Sequence, residues 1–97
     1  MQYVVHEVNT LKKLNNIDLN YGVEVDIRYR DGRLVVGHDI NELNLNFTDW
    51  LDSYGHKLLV ANIKESGIED LVIKEITNRK IDNFFLLDVE FPYIVKN

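Results

Sequence analysis

GVEVDIRYRDGRLVVGHD, running from Gly22 to Asp39, decides how this chain is read. Val23, Val25 and Ile27 alternate with Glu24, Asp26 and Arg28, so the apolar and charged residues fall on opposite faces of a strand. Asp31-Gly32 is a strong short-range signal for a hairpin turn. Arg33–Val36 then reads as the return strand, and Gly37 loosens the backbone before His38 and Asp39. The stretch is therefore either an ordinary hairpin or a metal and acid–base site built on one.

Outward from it the chain alternates strand and helix. Tyr3, Val4 and Val5 are β-formers, so 2–6 reads as a short first strand. Asn9 or Thr10 can cap a short helix through Leu11 and Leu14. The segment 41–46 is polar and loop-like. FTDWLDSY (47–54) reads as a helix with Phe47, Trp50 and Leu51 on one side. Leu58 to Ala61 is nearly continuous apolar sequence, the pattern of a parallel strand buried on both faces. Ser66-Gly67-Ile68-Glu69 has capping-box spacing, ahead of a helix with Ile68, Leu71, Val72 and Ile76 at helical intervals. NFFLLDV (83–89) reads as a further buried strand, and Pro92 as the first turn of another helix. Such alternation implies right-handed crossovers and a mostly parallel sheet in one small domain spanning 1–97.

Composition narrows the function. The 97 residues carry a formal net charge of -5, which argues against a broad nucleic-acid surface. No cysteine is present, so disulfides and thiolate zinc sites are excluded. No apolar run approaches the roughly 20 residues that span a bilayer, and the N-terminus has no signal-peptide pattern. A soluble, cytoplasmic protein is the expectation.

In parallel α/β folds ligands gather at the carboxyl ends of the strands. Polar residues fall at those ends here: His6 and Glu7; Glu24, Asp26 and Arg28; Asn62 and Lys64; Asp88 and Glu90. Each residue alone also has a plain structural role. A carboxylate on a strand can be a solvated residue, His6 can be a hydrogen-bonded structural histidine, and Lys64 or Arg28 can be a counter-ion. His38 can simply finish a hairpin, Asn9-Thr10 can be a helix cap, and His56 reads as a surface residue. It is the recurrence at one edge that favours chemistry.

The same residues carry a resemblance to the N-terminal half of the glycerophosphodiester phosphodiesterase family, relatives of phosphatidylinositol-specific phospholipase C. HEVNT supplies His6, Asn9 and Thr10; EVD supplies Glu24 and Asp26; DGRLVVGHD supplies His38 and Asp39; NIK supplies Asn62 and Lys64. NIKESGIE and FFLLDVEFP are similar to a bacterial branch of that family. The chain departs from the pattern at Glu7, where the family commonly has a phosphate-binding Arg, and at Asn62, where many members have a metal-binding Glu.

The resemblance implies an α/β fold forming the N-terminal half of a (β/α)8 TIM barrel, with about four parallel strands and a β-hairpin extension after strand 2. It implies metal-dependent hydrolysis of a small glycerophosphodiester-like substrate in lipid metabolism. His6 and His38 would be the catalytic acid and base. Glu24, Asp26 and Asn62 would hold Mg²⁺ or Ca²⁺, the cations that hard oxygen ligands select. Lys64 and Arg28 would bind the substrate phosphate. The substrate's own neighbouring hydroxyl would attack phosphorus. The alternative is a non-catalytic chain that only associates, with a second copy as a homodimer or with a separate C-terminal half-barrel.

Overall fold

The computed structural model describes residues 3–39, 41 and 45–88. The elements run β1 (Val4–Val5), α1 (Leu11–Asn15), β2 (Gly22–Arg30), β3 (Arg33–Val36), β4 (Leu45–Asn46), α2 (Phe47–Asp52), β5 (Leu58–Ile63), α3 (Glu69–Asn78) and β6 (Phe84–Asp88). Glu90 and the turn expected at Pro92 lie outside the described residues.

The strands form one six-stranded sheet in the order β4-β3-β2-β5-β6, with β1 also paired to β2. Directions are mixed. β1–β2, β2–β5 and β5–β6 are parallel, whereas β2–β3 and β3–β4 are antiparallel. This corrects the expectation of half a (β/α)8 barrel, whose strands are all parallel and each followed by a helix. The physical cause is the Asp31-Gly32 turn. Both residues take left-handed backbone, at φ 54° and 80°, which closes a two-residue hairpin and reverses the chain with no crossover helix. β3 must then run antiparallel, and β4 follows it. α1 and α2, of five and six residues, are also too short for a barrel's outer helical ring.

Two local expectations change as well. Leu45–Asn46, read as loop, pairs with Val35–Val36 as β4. The capping box at Ser66 does not form: α3 begins after Ile68, and the Glu69 carboxylate accepts from the Gly67 N–H at 2.9 Å. Thr10, by contrast, caps α1 by accepting from the Lys13 N–H.

One core lies on one face of the sheet. Val23, Val25 and Ile27 of β2 and Leu59, Ala61 and Ile63 of β5 join Leu14, Phe47, Trp50, Val72 and Ile76 from the three helices in a single buried cluster. Burying such side chains is the dominant favourable term in folding, about 1.5–3 kcal/mol for each large one. Trp50 is fully buried, and its indole N–H donates to the Val8 carbonyl at 2.8 Å. This bond ties α2 to the segment that follows β1.

Candidate functional site

Because Val23, Val25 and Ile27 of β2 enter the core, Glu24 and Asp26 project from the opposite face. Parallel pairing sets Asn62 of β5 directly beside Asp26, and Val5 beside Val23, so His6 leaves β1 level with Glu24. β3 returns on the same border of β2 only from Ile27 onward. Between the two pairings the border is filled by loop. The Val8 N–H donates to the Glu24 carbonyl at 2.8 Å, the Asp26 N–H to Asn9 Oδ1 at 3.0 Å, and the Gly37 N–H to the Asp26 carbonyl at 3.1 Å.

Asp26 is the hub and is only 1% exposed. Asn9 Nδ2 donates to its Oδ2 at 2.9 Å, and Asn62 Nδ2 to its Oδ1 at 3.1 Å. Lys64 Nζ stands 3.8 Å from Oδ1, and His38 Nδ1 3.2 Å from Oδ2. A buried carboxylate is tolerable only with such partners. Glu24 is also buried, and its Oε1 lies 3.2 Å from His6 Nδ1 and accepts from the Glu7 N–H at 3.3 Å. His6 and His38 thus each have a carboxylate near Nδ1, an arrangement that favours a proton on that nitrogen.

Six of the expected residues are brought to one rim: His6, Glu24, Asp26, His38, Asn62 and Lys64. Arg28 is placed otherwise. Its guanidinium donates to the Gly37 carbonyl at 3.3 Å and the His38 carbonyl at 2.8 Å, so it holds the His38 loop. Asn9, read as a helix cap, instead clamps Asp26 through both its amide atoms. His56, read as a surface residue, is buried with Nε2 3.0 Å from the Ile17 carbonyl.

Glu7 is the residue that sequence reasoning set aside. It takes left-handed backbone at φ 53°, a conformation that costs a non-glycine residue about 1–2 kcal/mol. Lys13 Nζ donates to the carbonyls of His6 and Glu7 at 2.9 and 3.3 Å and so straps this turn. The Glu7 carboxylate then meets His38 Nδ1 at 2.9 Å. Glu7, Asp26 and His38 offer donor atoms within 4.8 Å of one another, a spacing one metal ion can bridge. Of the expected metal set, Asp26 alone belongs to this group. Beside it lies a cavity of about 330 Å³ lined by Glu7, Asn9, Thr10, Lys13 and His38.

Among the described residues no helix is long and apolar enough to cross a membrane. Comparison with models of protein families, with curated proteins and with solved structures finds no match to this chain.

Proposed function

We propose that the chain hydrolyses a phosphodiester of the glycerophosphodiester kind, as the family it resembles in sequence does. The observation that supports this reading is the pair of carboxylate-backed histidines, His6 on Glu24 and His38 on Asp26, of which His38 lines a cavity. With Nδ1 engaged, Nε2 of each ring is left to exchange protons with a ligand. One ring takes the proton from the substrate hydroxyl that attacks phosphorus. The other gives a proton to the departing alkoxide, leaving a cyclic phosphodiester and a free alcohol; water then opens the cyclic ester with the two rings in exchanged roles, which completes the hydrolysis. No cysteine is available as a nucleophile, and this chemistry needs none.

The donor set suits a hard divalent cation, Mg²⁺ or Ca²⁺. Glu24 and Asp26 would supply carboxylate oxygens on one strand face, and Asn62, whose amide N–H now faces Asp26, would supply an oxygen only on turning its amide over. Such a cation, when bound, neutralises charge on the phosphoryl oxygens. Lys64, half-buried beside Asp26, meets a phosphate oxygen as a point charge.

His38→Ala and His6→Ala test the proposal. Each is expected to lower turnover of a glycerophosphodiester about 10²-fold or more, because acid–base catalysis of this kind contributes that much. Both rings are more than half exposed, so the fold is expected to persist. Unchanged turnover in both variants would sink the reading.

A second reading, association with another copy without catalysis, draws on the sheet. Phe85 is 42% exposed on β6, and β4 and β6 close the strand order at its two ends. Unpaired strand borders invite pairing with another chain.

A further inference from the structure

We infer that Glu7 is a positioning residue: its carboxylate fixes the His38 ring with Nδ1–H turned inward and Nε2 turned toward the cavity. The consequence for turnover rests on the proposed phosphodiester hydrolysis; the geometry itself does not.

Two carboxylates face Nδ1, and they are not equivalent. Glu7 Oε1 is nearer, at 2.9 Å against 3.2 Å for Asp26 Oδ2. Asp26 Oδ2 also accepts from Asn9 Nδ2 at 2.9 Å, so its remaining capacity is shared. Without Glu7 the ring has one long contact and an exposed setting in which to turn.

The backbone at Glu7 points the same way. A non-glycine residue in the left-handed region persists only where its surroundings hold it. Four contacts hold this one, among them the Asn9 N–H, which donates to the Glu7 carbonyl at 3.0 Å. Its N–H donates to Glu24 Oε1, its carbonyl accepts from Lys13 Nζ, and the next N–H, that of Val8, donates to the Glu24 carbonyl. An extended Glu7 would continue β1 and carry its side chain off along the strand. The left-handed turn swings it across the border of β2 to the loop that Arg28 anchors from the other side. His38 is therefore fixed from two directions: its backbone by Arg28 and its ring by Glu7.

The test reads the ring directly. In ¹⁵N-labelled protein, at a pH above the imidazolium range, ring-nitrogen shifts report which nitrogen carries the proton. The parent chain is expected to show His38 mainly as the Nδ1–H tautomer. Glu7→Gly keeps the backbone conformation, deletes the carboxylate and is expected to shift His38 toward a mixture of tautomers. Glu7→Gln retains an acceptor oxygen and is expected to restore the parent signature. Glu7→Asn, which tolerates left-handed backbone but cannot reach His38, replaces the glycine variant should that one fail to fold. On a glycerophosphodiester, Glu7→Gly is expected to lower kcat tenfold or more with KM little changed. An unaltered tautomer in the glycine and asparagine variants would overturn the inference. So would a parent ring whose Nδ1 carries no proton and whose shift moves on adding Mg²⁺ or Zn²⁺, since Nδ1 would then face a cation. A pinned ring in a chain with no turnover would defeat the phosphodiesterase reading and leave the positioning role standing.

Discussion

Asp26 is nearly sealed from water, and what keeps it there is a matched set of donors. Asn9 and Asn62 each aim an amide N–H at one of its oxygens, and Lys64 lies near. Asp26→Asn is nearly isosteric, yet it turns an NH₂ toward one of those donors and leaves a buried pair unmade. The expected loss is about 1–3 kcal/mol, checked by urea unfolding. Tyr54 presents the opposite case. Its hydroxyl is buried with no partner among the described residues, and burial pushes the phenol above its ordinary value of 10.0. The folded chain therefore keeps this proton to higher pH than the unfolded chain. The resulting stabilisation is complete below about pH 10 and is lost as pH rises beyond it. Tyr54→Phe is expected to melt several degrees higher at neutral pH and to lose less stability above pH 10, measured by thermal scans. Legibility at this scale depended on reach. Glu24 and Asp26 were readable because alternation with valines declares their face. His56 was not, because its ring partner, the Ile17 carbonyl, is 39 positions away in the chain. Glu7 was missed because its backbone angle, not its neighbours in sequence, sends it to His38.

The hairpin turn and the β1–β2–β5 junction are the elements most exposed to single changes. Gly32 has φ 80° with open space around it, so Gly32→Ala meets backbone strain alone and is expected to cost about 1 kcal/mol in thermal unfolding. At Gly22 the obstacle is packing. An added Cβ would stand 3.1 Å from Val4 Cγ2, 3.2 Å from Leu58 Cβ and 3.3 Å from the Tyr3 carbonyl. Gly22→Ala would push β1 away from β2 and displace His6 from Glu24. Overpacking of this kind costs about 1–3 kcal/mol. If the proposed phosphodiester hydrolysis holds, the expected outcome is a loss of turnover larger than the loss of stability suggests, seen by comparing the two on one preparation. Most strands were legible from β-branched runs and from the Asp31-Gly32 signal. β4 was not, since two residues carry no period. The capping box failed because Glu69 satisfies Gly67 instead.

At the scale of the whole molecule the resemblance misled about architecture. A barrel repeats strand and helix in one direction; here a tight turn replaces one crossover and two antiparallel pairings result. If association is the chain's role, sedimentation is expected to give twice the monomer mass, and Phe85→Lys to restore the monomer. The brevity of β1 has its own consequence. With two residues it yields the middle of β2's border to a loop, and that loop supplies Asn9 and Glu7. Were β1 to zip onward past Val5, its ladder would take the β2 backbone groups that Val8 and Asn9 now bond, and Glu7 and Asn9 would be drawn away from His38 and Asp26. A stunted opening strand is thus what frees Glu7 and Asn9 to reach His38 and Asp26, and any redesign that lengthens it for stability should unmake those contacts.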